Sequence, residues 1–556
     1  MLAVALPGKM QYKGAMNANT EHLPGFLKAA PGHVPALAIL FALCAFPSLY
    51  HGIARDVLAN SDMDLVSVYQ ALLINSGQPL VPNAHTGYVY FLSLAVWFQV
   101  FDWLGLIVVH DMGGLLAVED FDATYGALIV SGRWFSIFQA WVLVAIVYTG
   151  IRTLFDKQGK GRWAGLVLGA VFAVGGGGIA AQSVMLRTEL SSMILILAAA
   201  MALVAAPKTT YRRGLLLLAL SGFLVHAALM IKVQNIIVIL FLPLLPLVFG
   251  WWERRSPVQS PPAALAWGIV AAAVVVAVPV AIGFLGALAP GSHGLYQGLI
   301  ALFVIACAII YGQLILGATR HGVIGLAAVA IGFSFAYGLS VFNDNWWTTF
   351  AVVNFLERMS LYSSATAQGG GGSGSGGAIG NVAKSIAGGF SIAEVSRFVT
   401  ERLRNIDYPF AVFYALVPVC ACVLALREKW EAAVKAGYLC LMAGLIVAVF
   451  WVGRGFFNFL YAVYVETWVI LAAAIVLQAM APRRLGLLAL AGLLVVTLNV
   501  SFRLMEPSAA NQNPPKSACF IRGLTPLIYD KFDAYCGTGS TPSRTAIPFK
   551  SSDTAG

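Results

Sequence analysis

Charged residues are scarce in this chain: Asp, Glu, Lys and Arg make up 10% of its 556 residues, whereas hydrophobic residues make up 59%. A soluble domain of this length carries a far more polar surface, so the composition excludes that class. Motifs for nucleic-acid binding are missing from the sequence. Residues 1–33 also lack an apolar core beside a small-residue cleavage site, which predicts a cytoplasmic tail rather than a cleaved signal peptide.

The sequence instead contains long runs of apolar residues. Runs of roughly 17 to 25 residues cross a hydrocarbon core as helices, and the sequence contains about thirteen of them. They begin near Val34, Gly132, Trp163, Glu189, Gly214, Val233, Ala263, Leu299, Val323, Tyr408, Tyr438, Phe459 and Leu485. The sequence therefore predicts an all-α polytopic membrane protein.

Basic residues predict the orientation of the spans, because short cytoplasmic loops are enriched in Lys and Arg. Their clusters fall in alternate loops, which places the N-terminus inside and the C-terminus outside. The clusters contain Arg152, Lys157, Lys160, Arg162, Lys208, Arg212, Arg213, Arg254, Arg255, Arg320, Arg427, Lys429, Lys435, Arg483 and Arg484. The net charge of +10 lies mainly here and in the N-terminal tail, so it indicates topology and anionic headgroups rather than nucleic acid.

One apolar run, residues 88–109, bears directly on this orientation. If it crossed the membrane, the basic loops after it would lie outside, against the positive-inside rule. We therefore predict one long external loop that carries at least two helices lying on the membrane or dipping into it. The predicted order is a cytoplasmic tail (1–33), the first span (34–50), this external loop (51–132), spans two to nine (133–341), a Gly-rich external loop (342–407), spans ten to thirteen (408–502) and an external tail (503–556).

The first external loop opens with the acidic sequence Ser61-Asp62-Met63-Asp64. Ser61 and Asp64 have the spacing of a capping box, which would occupy Asp64 at the start of a helix. Asp62 is not occupied in that way, so it is the first choice for a general base and Asp64 is the second. Positions i and i+2 of a helix point in different directions, which argues against a metal site built from the two carboxylates.

The helix that follows is predicted to be amphipathic and to end at Gly77. Its apolar face predicts that it lies in the membrane interface. That face contains Leu65, Val68, Tyr69, Leu72 and Leu73. After Gly77 come the candidate substrate contacts His85 and Tyr88; the alternatives are that His85 caps the second interfacial helix and that Gly87-Tyr88 forms a tight entry into it.

Several charged residues fall at the predicted external ends of spans: Arg133, Arg187, Glu189, Lys232 and Arg454. Together with Asp62 they suit a phosphate-bearing lipid, because cations stabilise a departing phosphate and a carboxylate accepts the proton of an incoming hydroxyl. The candidate catalytic carboxylates are thus Asp62, Asp64 and Glu189, and the four cations are the candidate phosphate ligands. Arg133, Lys232 and Arg454 also have a simpler explanation, because basic side chains near the end of a span often snorkel to the membrane interface. For Arg187 and Glu189 the simpler explanation is a local ion pair.

Two regions outside the spans carry further predictions. Cys519 and Cys536 lie in the polar tail that the topology places outside, so we predict a disulfide between them. The loop 342–407 contains a glycine-rich run, 369–377, and is interpreted either as a partly disordered lid or as a tolerated insertion. Internal repeats of the kind found in many secondary transporters are not evident.

The order of these features resembles the GT-C superfamily of membrane glycosyltransferases, in particular the branch of protein O-mannosyltransferases and lipid A aminoarabinose transferases. The resemblance rests on an acidic residue opening a helix that ends at Gly77, the Pro/His/Gly-Tyr segment and a second interfacial helix. An Arg-led span, Arg187 with Glu189, and Lys232 then follow in that branch's order. The resemblance covers residues 34–255 and extends further only through span count and the position of Arg454.

The resemblance implies a sugar donor linked to polyprenyl phosphate and transfer with inversion to an envelope glycan, glycolipid or protein. It implies the bacterial cytoplasmic membrane, with the active site facing the exterior, membrane lipids as partners and no nucleic acid. It maps the family's two acidic positions onto Asp62 and Glu189. The usual Asp-Glu and His-Pro-Pro or Lys-Pro-Pro motifs are replaced here by Asp62-Met63-Asp64 and residues 85–87, which leaves open the identity of the base and any role of a divalent cation; no other cofactor is implied.

Two other functions fit parts of the same pattern. A flippase or exporter of lipid-linked sugars also needs many spans and cationic cavities, but it is expected to carry repeats and charges near the midplane. A glycan polymerase or ligase uses the same kind of donor and depends on a late external loop with arginines. The arginines of loop 342–407 keep that alternative open: Arg358, Arg397, Arg402 and Arg404.

Overall fold

The structure is a computed structural model of the chain. It describes residues 30–50, 53, 61–81, 87–155, 161–232, 235–250, 293–342, 410–454, 461–480, 525, 527 and 528. Every regular element in this part of the chain is helical, without a strand.

The N-terminal half contains eleven of the described α-helices. They are α1 (Ala30–Tyr50), α2 (Ser61–Asn75), α3 (Tyr88–Trp103), α4 (Met112–Ala117), α5 (Phe121–Phe155), α6 (Gly161–Gly175), α7 (Gly177–Ser183), α8 (Glu189–Ala205), α9 (Tyr211–Ile231), α10 (Ile236–Ile239) and α11 (Leu245–Gly250). The remaining described helices are α12 (His293–Leu314), α13 (Thr319–Phe342), α14 (Phe410–Leu426), α15 (Trp430–Arg454) and α16 (Val463–Met480).

Seven described helices are long and apolar enough to cross a membrane, or eight if the bent pair α6 and α7 forms one span. This confirms the predicted all-α polytopic membrane protein. The seven segments are His33–Tyr50, Phe121–Phe155, Glu189–Lys208, Tyr211–Ile231, Thr319–Ala336, Trp430–Val447 and Val463–Met480. The total of thirteen and the orientation stay predictions, and the spans expected near Ala263 and Leu485 lie outside the described residues.

The span expected near Val233 differs from its prediction. Between Asn235 and Gly250 the chain forms α10, a 3-10 turn at Leu242–Leu244 and α11, instead of one continuous helix. Pro243 and Pro246 explain the interruption, because proline lacks the N–H that an α-helix interior requires. Hydropathy alone does not register this break.

Helix α5 begins well before the predicted start of its span at Gly132. With 35 residues it is about 52 Å long, against about 30 Å for a hydrocarbon core. Its first turns pack against α2 and α3. The Tyr125 hydroxyl donates to the Leu65 carbonyl over 2.8 Å, and Trp97 Nε1 donates to the Ser131 carbonyl over 3.1 Å.

Helix α2 is covered by protein, whereas the sequence predicts an amphipathic helix with one face open; its position in the membrane interface stays a prediction. Every residue from Asp64 to Leu73 is buried, so the helix has no face left for lipid. Its polar side is covered by protein: the Gln70 amide nitrogen donates to the Val81 carbonyl over 2.8 Å, and the Leu527 N–H donates to the Tyr69 hydroxyl over 3.3 Å. The predicted end at Gly77 is confirmed, since Gly77 takes a left-handed conformation with φ of 63°.

Helix α3, unlike α2, has one buried face and one exposed face. With 16 residues it is about 24 Å long, too short to cross the membrane as a straight helix. Phe91 and Leu94 are buried against the protein, whereas Val96 and Val100 are 51% and 44% exposed. Gly87 precedes the helix with φ of 41°, which confirms the tight entry predicted for Gly87-Tyr88. An interfacial position therefore suits α3.

Two separate apolar clusters organise the described helices. The larger one contains residues of α1, α6, α8, α15 and α16 and the C-terminal part of α5. The smaller one joins α2, α3, α4 and the N-terminal part of α5 with Leu186, Met230 and Ile231. The two clusters meet where α5 passes from one to the other, and the buried charged residues lie at that junction.

Candidate functional site

Asp64 and Arg133 form a fully buried ion pair between α2 and α5. Arg133 Nη2 lies 3.0 Å and Nε 3.2 Å from Asp64 Oδ2, and both side chains are 0% exposed. The other carboxylate oxygen accepts the Leu186 N–H over 2.7 Å, and Arg133 Nη1 donates to the Ile53 carbonyl over 2.8 Å. Buried charges require this degree of pairing, so the pair fixes α2, α5 and the segment before α8 to one another.

Glu189 lies between two cations at the start of α8. Arg187 Nε is 3.3 Å from Glu189 Oε2, and Lys232 Nζ is 3.1 Å from Oε1. Glu189 occupies the first turn of α8, where the helix dipole also favours a negative charge. Among these three side chains, two positive charges flank one negative charge. The Arg187 side chain is 11% exposed and is the most accessible of the three.

The hydroxyl of Tyr90 on α3 lies near both charged clusters. Burial raises the pKa of Tyr90 well above its ordinary value, and the negative charges of Asp64 and Glu189 raise it further. Tyr90 is therefore a neutral hydroxyl, close enough to both carboxylates to sense their charge. The hydroxyls of Ser67 and Ser136 lie beside it.

Three buried hydroxyls meet where α2, α3 and α5 pack together. Tyr90 Oη hydrogen-bonds to the hydroxyls of Ser67 and Ser136. None of the three has a partner outside this set within the described part of the chain. We call Ser67, Tyr90 and Ser136 the hydroxyl cluster.

Polar contacts continue from the hydroxyl cluster into the helix bundle. Gln139, one turn beyond Ser136 on α5, donates from its amide nitrogen to the Ser191 hydroxyl on α8. Ser192 and Tyr464 hydrogen-bond to each other through their hydroxyls and connect α8 to α16. Polar side chains inside a membrane bundle are costly and mark functional sites by default. The polar region therefore reaches from the loop helices to α16.

The structure brings together five of the charged residues that the sequence analysis singled out, and adds Tyr88 beside them. Asp64, Arg133, Arg187, Glu189 and Lys232 belong to the two clusters. Tyr88 is buried at the start of α3, where the N–H of the preceding residue donates to the Ile231 carbonyl over 3.1 Å, next to Lys232.

Other predicted residues cannot be placed in the same way. His85, Cys519 and Cys536 lie outside the described residues. Asp62 and Arg454 belong to the described helices α2 and α15, but their side chains are not among those described. Their predicted roles stay predictions.

The hydroxyl cluster was not predicted from the sequence, although the spacing of two of its residues gives a hint. Ser67 follows Asp64 by three positions and Ser136 follows Arg133 by three. Residues three apart share a helix face, so each serine lies on the same side as its charged neighbour. Tyr90 gives no such signal, since its position depends on how α3 packs.

A metal site in this region would require several His, Cys, Asp or Glu side chains close together. Among the described residues, no three side chains of His, Cys, Asp and Glu come together in a way that could hold a metal ion. Both described carboxylates of the site are paired with cations instead. A role for a divalent cation stays a prediction.

Comparisons with family models, with curated proteins and with solved structures give no match. The functional interpretation therefore rests on the site itself.

Proposed function

We propose that this protein is a GT-C-type glycosyltransferase, which moves a sugar from a polyprenyl-phosphate donor to an envelope glycan, glycolipid or protein. The observation that carries the proposal is that two cations, Arg187 and Lys232, converge on Glu189 beside a second buried ion pair. A membrane protein that keeps this much charge inside an apolar bundle uses it.

The departing group of the proposed reaction is a lipid phosphate. Arg187 and Lys232 come from different segments, one before α8 and one after α9, and both are held by Glu189. A carboxylate between two cations keeps them close together in the absence of ligand and lowers their mutual repulsion. A phosphate that approaches Arg187 meets a preorganised positive site, which is where electrostatic stabilisation of a leaving group is most effective.

The base of the proposed reaction is Asp62 rather than Asp64. Both oxygens of Asp64 accept hydrogen bonds, from Arg133 and from Leu186, and its side chain is 0% exposed. A general base must reach the proton that it removes, and a carboxylate held in this way does not. Arg133 is engaged with Asp64 and the Ile53 carbonyl, so the proposal assigns phosphate binding to Arg187, Lys232 and Arg454 instead.

The experiment compares a strain that lacks this protein with the same strain complemented by the wild-type chain. Envelope glycolipids and glycoproteins are analysed by mass spectrometry, together with the pool of lipid-linked sugars. Loss of a sugar-sized mass increment on an acceptor, restored by complementation, supports transfer. If acceptors are unchanged and only the distribution of lipid-linked sugars across the membrane changes, the protein is a flippase and the proposal is wrong.

A further inference from the structure

A groove of about 490 Å³ lies between α14 and α15, on a part of the bundle that the proposed reaction does not use. None of the described residues that line it carries a charge. Cys422 and Gly444 are exposed within it, so the groove opens at the surface of the bundle. It exists because small residues on both helices leave room there: Ala421, Ala425, Ala433, Gly437 and Gly444.

The groove begins at the end of the bundle opposite to the charged clusters, as the contacts of α16 show. Tyr464, in the first turn of α16, hydrogen-bonds to Ser192 near the start of α8. Ala479, in the last turn, accepts a hydrogen bond from Lys429 Nζ in the turn between α14 and α15. About 22 Å of helix separates Tyr464 from Ala479. The groove starts beside this turn with Trp430, so it lies away from the proposed site of the donor phosphate.

Basic side chains lie where the groove begins. Arg427 and Lys429 belong to the turn between α14 and α15, and both are exposed. Glu428 adds one negative charge to these two positive ones, whereas Glu431 is paired with Lys435 over 2.6 Å. The sequence predicts that this turn is cytoplasmic, and the cytoplasmic leaflet is the one that carries anionic lipids.

The length of the groove suits one lipid chain. Trp430 lines its first part, and tryptophan favours the level of the lipid headgroups. From Trp430 to Gly444 the groove follows α15 for about 21 Å. One leaflet contributes about half of a hydrocarbon core of about 30 Å. An acyl chain that starts at the headgroup level can therefore lie in the groove through the whole leaflet.

We propose that the groove between α14 and α15 binds an anionic phospholipid, whose phosphate contacts Arg427 and Lys429 and whose acyl chain lies along α15 past Gly437 and Gly444. An apolar groove alone accepts any lipid chain. Two basic side chains at its open end select a lipid with a negatively charged headgroup. The site is additional to the proposed glycosyltransferase site and does not depend on it.

Two glycines allow the groove to be filled without disturbing the helices. No described atom lies within 4 Å of the Cβ position of Gly437 or Gly444, so Gly437→Leu and Gly444→Leu place their side chains in the groove. Gly338→Leu on α13 is the matched control, because its Cβ position is equally open and lies outside the groove. Arg427→Gln removes a charge at the open end, and Arg212→Gln, an exposed change at the start of α9, is its control.

The test uses the purified full-length chain, stripped of lipid and mixed with equal amounts of dioleoylphosphatidylglycerol and dioleoylphosphatidylcholine. Native mass spectrometry measures the lipid that each variant retains. Wild type and both controls should retain the anionic lipid preferentially, and the two groove-filling variants should lose it. Arg427→Gln should weaken its retention about fivefold, the factor that corresponds to about 1 kcal/mol for one basic side chain near anionic lipids.

Three results would overturn the proposal. The first is equal retention of the two lipids by the wild-type chain, and the second is groove-filling variants that retain the anionic lipid as wild type does. The third is preferential retention of an added polyprenyl phosphate, which would make the groove a site for the donor chain. If the groove-filling variants fail to fold, equal retention by Arg427→Gln and Arg212→Gln overturns it instead. Sugar transfer is not measured, so failure here leaves the proposed function standing.

Discussion

Asp64 and Arg133, separated by 69 positions in the sequence, form an ion pair with both side chains completely buried and 3.0 Å between Oδ2 and Nη2. The pair lies where the helices of the first loop meet the long helix α5. The Leu186 N–H donates to the other oxygen of the same carboxylate and ties the segment before α8 to the pair. Three separate segments are thus held together at one buried contact.

Removal of either partner of this pair should be strongly destabilising. Asp64→Leu leaves a buried guanidinium without its carboxylate, and Arg133→Met leaves a buried carboxylate without its guanidinium; each should cost about 3–5 kcal/mol. The double variant should cost less than the sum of the two, because it leaves neither charge alone. Unfolding of the detergent-solubilised protein by denaturant measures all three. Single variants as stable as the wild type would show that the pair is not formed.

Part of this arrangement could be predicted from the sequence. The end of α2 at Gly77 and the entry into α3 at Gly87 follow from local backbone chemistry, because both glycines take positive φ values. Arg133, Arg187, Glu189 and Lys232 stand out as charges in an apolar chain. The pairing of Asp64 with Arg133 could not be predicted, since a capping-box pattern explains Asp64 equally well and no local rule relates residues on separate helices.

The burial of α2 was also beyond sequence reasoning. Its alternation of apolar and polar residues is the same whether the polar side meets water or a covering loop, and here Val81 and Leu527 cover it. The true start of α5 was obscured in a similar way, because hydropathy marks the membrane crossing and not the helix that extends past it. Both differences between prediction and structure come from tertiary contacts, which the sequence of a single segment does not determine.

Helices α9 and α13 approach each other through glycines, which gives a second prediction. A Cβ on Gly222 would overlap the Val329 carbonyl oxygen, and a Cβ on Gly332 would overlap the Ala219 carbonyl oxygen. Backbone atoms cannot move aside easily, so Gly222→Ala and Gly332→Ala should each destabilise the protein by about 1–3 kcal/mol. Thermal unfolding in detergent measures the effect.

Gly437 on α15 provides the matched control for these substitutions. No described atom lies within 4 Å of the position that its Cβ would take. Because alanine favours a helix over glycine, Gly437→Ala should leave stability unchanged or raise it by about 0.5–1 kcal/mol. Equal destabilisation by all three changes would mean that α9 and α13 do not pack as described.

Glu466 explains how the bend between α6 and α7 is stabilised. The two helices meet at 65°, and the Gly178 N–H freed by the break lies 3.2 Å from Glu466 Oε2 and 3.3 Å from Oε1. Glu466→Gln keeps an acceptor for this N–H, whereas Glu466→Leu leaves it buried and unsatisfied. We expect the leucine variant to be less stable than the glutamine variant by about 1–3 kcal/mol. Equal stability of the two would argue against a capping role.

Substitutions of Lys232 test whether the cations around Glu189 bind the lipid donor. Lys232→Met removes one of the two cations that hold Glu189, so transfer should fall at least tenfold, with a higher KM for the lipid donor. Lys232→Arg keeps the charge and should retain part of the activity. Asp122→Asn, an exposed change in the first turn of α5, is the control for loss of charge alone. A methionine variant with wild-type KM would remove Lys232 from the phosphate site.

The most direct test of the account is transfer by the purified protein in lipid vesicles that contain a lipid extract of the deletion strain. Wild type is compared with Asp62→Asn and with Glu119→Gln, which changes an exposed carboxylate between α4 and α5. The account predicts that wild type and Glu119→Gln add a sugar to an acceptor, and that Asp62→Asn folds normally but adds none. Full transfer by Asp62→Asn would contradict the assignment of the base, and no transfer by the wild-type protein would contradict the proposed glycosyltransferase.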